Sequence, residues 1–178
     1  MQQKLSTLIE QVAGFALVRC CMRHEKIRRE PGGINPLQNA AVEHGLLRGA
    51  YCSSQIRAKR LACAHTLART RLLQMLDEIP AEACLLEQVL VWKEKIYQLD
   101  LAIIDVDWRK SDAELAHAQQ SVVVVHHGDD APEAMKELEA IERTIKRLDQ
   151  EHTVYVERLL TLQTQILGTL QAALENSS

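Results

Sequence analysis

Aromatic residues are scarce in this chain: two Trp, three Tyr and one Phe make up 3% of 178 positions. A β-sandwich draws on aromatic and β-branched residues for its pleated faces, so that class is disfavoured from the start. Nowhere do about 18 uncharged apolar residues run together, which excludes a transmembrane helix. The stretch Leu5 to Val18 carries Glu10, lacks a strongly basic leader and runs into Arg19, making it a poor signal peptide. Also missing are a Gly-rich phosphate loop, a nucleophile elbow, kinase signatures and a His-Glu-x-x-His helix. No catalytic constellation is left, and the expectation is a protein that is not an enzyme and holds no cofactor.

What the chain does have is two superimposable stripes. Leu85, Val89, Trp92, Ile96, Leu99, Ile103, Val106, Lys110, Ala113, His117, Gln120 and Val124 step alternately by four and three. So do Ala134, Leu138, Ile141, Ile145, Leu148, His152, Tyr155, Leu159, Leu162, Ile166, Thr169 and Ala173. That spacing keeps one face of an α-helix turned toward a partner helix. Reversed, the second stripe pairs with the first at a constant position sum of 258, whose midpoint falls within His126-His127-Gly128-Asp129-Asp130-Ala131-Pro132. The expected fold is therefore all-α: an elongated antiparallel helical bundle built on a long coiled-coil hairpin. Helices of about 45 residues span roughly 65 Å at 1.5 Å per residue.

Two further helices precede the hairpin. The first, over 3–29, has Leu5, Leu8, Val12, Phe15 and Ala16 on one face, turns basic after Val18, and stops at Pro31-Gly32-Gly33. Asn35-Pro36 opens the second, which runs to Asp77. Its seam is thin, being rich in Ala40, Ser54, Ala58 and Ala68. Gly45 and Gly49 each cost about 1 kcal/mol relative to Ala, so this helix is expected to need support and to fray. A third helix is predicted from Pro80 to Val125. It carries a second stripe, from Leu86, Leu90, Tyr97 and Leu101 through Ile104, Trp108, Leu115 and Ala118 to Val122 and Val125, and so contacts more than one neighbour.

Net charge divides at the same place. Residues 1–78 hold 12 Lys/Arg against 6 Asp/Glu, and residues 79–178 hold 9 against 18. We therefore read a basic N-terminal segment, 1–78, and an acidic hairpin, 79–178, docked as one structural unit. The five cysteines, Cys20, Cys21, Cys52, Cys63 and Cys84, are odd in number and sit in helical patterns, which points to reduced thiols and a cytoplasmic location.

Candidate sites are few. His152 lies in the core stripe opposite Val106, with Asp105 and Asp107 to either side; it serves as a register-fixing polar residue or as a pH-sensitive latch. Glu114-Leu115-Ala116-His117 has the spacing of a di-metal helix but no second copy, and Cys20 with His24 lacks the further ligands zinc requires, so no metal site is expected. Arg57, Lys59, Arg60, Arg69 and Arg71 form the main candidate partner-binding group. They suit a polyanion, either nucleic acid or an anionic membrane, without reading bases. Interspersed acids and the lack of an aromatic stacking platform disfavour nucleic acid.

In outline the hairpin resembles the small coiled-coil stalk proteins of flagellar and type III export machines. The resemblance covers the hairpin alone, and the two helices ahead of it depart from the family's two-helix plan. It implies protein transport and contact with an export ATPase or a chaperone. The expected function is accordingly that of a helical adaptor or structural protein acting through protein–protein contacts, with self-association as a further outcome; polyanion binding by the basic N-terminal helices is the alternative.

Overall fold

The computed structural model of the chain describes residues 1–14, 43–127 and 132–176. Within them the protein is an all-α helical bundle and contains no strand. Helix α1 spans Gln2–Gly14, α2 Glu43–Asp77, α3 Leu86–His127 and α4 Pro132–Glu175. No described helix is long and apolar enough to cross a membrane. The predicted continuation of the first helix to residue 29, the Pro31-Gly32-Gly33 stop, the start at Asn35-Pro36 and most of the reversal around Asp129 lie outside the described residues, as do Cys20, Cys21 and His24.

The third helix starts later than its sequence suggests. Pro80 is extended, with φ −60° and ψ 138°, and leads into a single 3-10 turn, Ala81–Ala83, closed by Ala83 N–H to Pro80 O at 3.0 Å and Cys84 N–H to Ala81 O at 3.1 Å. Cys84 then takes a left-handed conformation, φ 54°, and α3 begins at Leu86. The chain has to double back between α2 and α3. A residue with positive φ supplies that reversal, and here no glycine is present to do it.

Contact partners give the helix directions. His65 and Arg69 of α2 reach Asp100 of α3, while Asp77, nearer the end of α2, pairs with Lys93. Between α3 and α4 the pairs are Arg109 with Glu151, Lys110 with Asp149, and His117 with Glu142. In both cases numbers fall on one helix as they rise on the other, so each pair of helices runs antiparallel. Helix α1 lies against α4 and α2.

One apolar core joins all four helices. Leu5, Leu8 and Val12 of α1 and Leu72 and Leu76 of α2 pack with Val89, Trp92, Ile96 and Ile103 of α3 and Leu159, Leu162, Ile166 and Leu170 of α4. Burying a side chain of this size contributes about 1.5–3 kcal/mol, so the basic and acidic segments are bound chiefly by shared apolar area. Gln163 adds a polar tie, its Nε2 donating to the Val12 carbonyl of α1 at 2.9 Å. Beyond Ile103 the interior changes character: Asp107, Ser111, Ser121 and His152 are buried alongside Val106, Ala118 and Leu148.

Two backbone substitutions should stabilise the chain. Gly168 lies inside α4, and a Cβ built there meets nothing within 4 Å. Gly168→Ala is expected to add about 0.5–1 kcal/mol by lowering the entropy of the unfolded chain. Cys84→Gly should add roughly the same, because the left-handed conformation costs a residue with a Cβ about 1–2 kcal/mol and glycine recovers most of that. Urea unfolding midpoints compared with the parent chain check both.

Candidate functional site

Three faces of α3 meet different surroundings. One side is taken by α2 through Asp100 and Lys93, and another by α4 through Arg109, Lys110 and His117. The remaining side carries the second apolar stripe, and there Leu86 is 73% exposed, Leu90 60%, Tyr97 43% and Leu101 41%. Ile104 and Trp108 continue the row half-buried. Spacings of four and seven put these residues in one line along the helix. A row of large apolar side chains left in water at helical spacing is the shape into which another helix packs.

Directly beside this row is a buried polar cluster. The Arg69 guanidinium lies 4.8 Å from the centre of the Tyr97 ring and donates from Nη1 to Asp100 Oδ2 at 2.7 Å. His65 Nδ1 lies 2.8 Å from Asp100 Oδ1. Asp100 and His65 are 3% and 2% exposed, and the Arg69 side chain is 14% exposed. An ionised carboxylate paired with arginine only accepts hydrogen bonds, so His65 Nδ1 carries the proton of that bond.

The basic residues singled out from sequence do not gather into one patch. Arg69 is turned inward onto Asp100, while Lys59, Arg60 and Arg71 are exposed. The side chain of Arg57 falls outside the described residues. Arg60 and Arg71 are 11 positions apart and share a face, with Lys59 about 100° around the helix.

The other three candidates separate in a similar way. His152 and Asp107 are both buried, but Asp105 is exposed and accepts from Arg109 Nε at 2.8 Å. Glu151, next to His152, accepts from Arg109 Nη2 at 2.7 Å. That hydrogen bond raises the Arg109 pKa above its usual value and lowers that of Glu151 below its own. His117 faces Glu142 at 3.3 Å, and Glu114 lies toward Lys110 at 4.0 Å. Among the described residues no three His, Cys, Asp or Glu side chains converge as metal ligands, and Cys63 and Cys84 are exposed free thiols.

The Asp100 cluster escaped the sequence reading, although one signal for it was there. His65 and Arg69 are a helical turn apart, and Asp100 falls between Leu99 and Leu101 in an otherwise apolar stretch. Compared with protein-family models, curated proteins and solved structures, the chain has no match, and the functional reading rests on these residues alone.

The Arg109–Glu151 pair makes a pH prediction with a definite sign. A carboxylate whose pKa is lowered in the fold stabilises it above the ordinary value, near 4.5, and the contribution is lost as the pH falls through the lowered one. Arg109 is exposed and Glu151 half-buried at the surface, within reach of solvent screening, so Glu151→Gln should cost no more than about 0.2–1 kcal/mol at neutral pH. Its unfolding midpoint should approach that of the parent chain as acid protonates Glu151.

Proposed function

We propose that the protein is a non-enzymatic helical adaptor or structural component that works through protein–protein contact, its body an elongated antiparallel bundle built on a coiled-coil hairpin of α3 and α4. The row Leu86, Leu90, Tyr97 and Leu101 carries this reading. Its partner is a helix with an apolar face, since ridges of one helix seat in the grooves of another. The antiparallel ion pairs along α3 and α4 support the hairpin, and the free thiols of Cys63 and Cys84 suit a reducing cytoplasmic setting. If the resemblance to export-stalk proteins reflects kinship, the partner is an export ATPase or a chaperone.

Exposed Leu→Glu changes leave the core untouched, so Leu90→Glu with Leu101→Glu should shift stability by only about 0.5 kcal/mol. The same pair of changes should weaken partner binding at least tenfold, as loss of central apolar anchors does. Proteins captured from the native cell by the parent chain and by the double variant, with circular dichroism as the folding control, test this. Identical capture by both would sink the assignment of this face. Polyanion binding remains the competing reading, resting on exposed Lys59, Arg60 and Arg71. It requires association with DNA or anionic vesicles that falls steeply with salt.

A further inference from the structure

The exposed row on α3 has two unlike edges. Toward α2 the cations are matched by carboxylates: Lys93 pairs with Asp77, and Arg69 with Asp100. Along the opposite edge lie Glu87, Glu94, Asp105 and Asp112, all exposed. Their spacings of 7, 11 and 7 keep them in line. That line lies about 60° round the helix from Leu86, Leu90, Tyr97 and Leu101.

The outer edge carries surplus negative charge. Glu94 accepts from Gln98 Nε2 at 2.7 Å, a neutral donor that leaves its charge in place. Arg109 is shared, reaching Asp105 from Nε at 2.8 Å and Glu151 from Nη2 at 2.7 Å, so one cation serves two carboxylates. Lys95, also exposed, lies about 90° beyond the acidic line. An ionised carboxylate has about four acceptor positions, so Glu94 and Asp105 retain capacity for a further donor.

We propose that the row seats a basic amphipathic helix of another protein. The apolar line of that helix packs on Leu86, Leu90, Tyr97 and Leu101, and Lys or Arg beside the line meets Glu87, Glu94 and Asp105. The inference rests on the reading of this row as a docking face and adds the chemistry of what docks. From Leu86 to Leu101 the row runs about 22 Å, or four turns of a partner helix. Near its middle, Tyr97 is held by the Arg69 guanidinium 4.8 Å from its ring centre and offers a pre-set aromatic anchor. The acidic edge repels nucleic acid, anionic membrane and acidic helices alike. A second copy laid antiparallel, row on row, would bring two acidic lines to one side of the seam, where like charges repel.

Fluorescence anisotropy of two labelled peptides of about five helical turns, titrated with the full chain, tests it. Both carry leucines at the row's own spacing; one sets Lys beside them and the other Glu. The Lys peptide should bind at least about tenfold tighter than the Glu peptide, and its affinity should fall as salt rises. Glu87→Gln with Glu94→Gln should weaken it about threefold or more, and Glu87→Lys with Glu94→Lys should erase the preference between the peptides. Leu90→Ser with Leu101→Ser should weaken the Lys peptide at least about tenfold. Equal affinity for both peptides, lost in the Leu variant, overturns the basic partner and leaves the docking face standing. Lys-peptide binding that ignores the glutamate changes lies elsewhere on the chain and overturns the proposal, as does binding of neither peptide. A parent chain that sediments as a dimer, and a Leu variant that sediments as a monomer, overturn it too, because a second copy then holds the row.

Discussion

A helix has one circumference, and in this protein α3 has three claims on it. Helix α2 holds the side marked by Lys93 and Asp100, and α4 the side marked by Arg109, Lys110 and His117. With two antiparallel neighbours in place, the third side has no described helix to cover it, and Leu86, Leu90, Tyr97 and Leu101 stay in water. Burial of each such side chain would gain about 1.5–3 kcal/mol, so the row is a standing attraction for another apolar surface. A single exposed leucine needs no explanation, whereas four large apolar residues in line do.

The same geometry makes the two ends of the bundle physically unlike. At the end where α1 joins, Leu, Ile, Val and Trp side chains from four helices interlock. Past Ile103 the buried positions among the described residues include Asp107, Ser111, Ser121 and His152 beside Val106, Ala118 and Leu148, and the polar ones bring little transfer energy and require hydrogen bonds. The Asp100 cluster lies at the boundary between the two regimes, where α2 passes from a shared apolar core to a polar tie.

The division of charge along the chain translates only partly into contacts. Arg69 with Asp100 joins the basic segment to the acidic one as the totals suggest, but Lys93 with Asp77 runs against them. Arg109 and Lys110 spend their charge within the acidic segment itself, on Glu151 and Asp149. Apolar area draws the two segments together, and ion pairs select orientation within that association. Net charge is a sum over the whole surface, while a contact is decided at a few ångströms.

Helical character, the two α3 stripes and the apolar stations Ile96, Ile103, Leu159 and Ile166 were legible in the sequence, because periodicity fixes which residues share a face before any neighbour is present. It could not tell which of the two α3 stripes would be covered, since both have the right period and only the arrival of α2 and α4 separates them. Arg69 shows the same limit. In one dimension it belongs to a basic run with Arg71, yet in the fold it turns inward while Arg71 stays in water, because Asp100 lies across the helix interface. Likewise Pro80 looked like a helix start until the reversal into α3 placed a 3-10 turn and left-handed Cys84 ahead of Leu86. Local spacing settled the helices and their faces; long-range packing settled which faces are hidden, because burial is a relation between segments that no single segment contains.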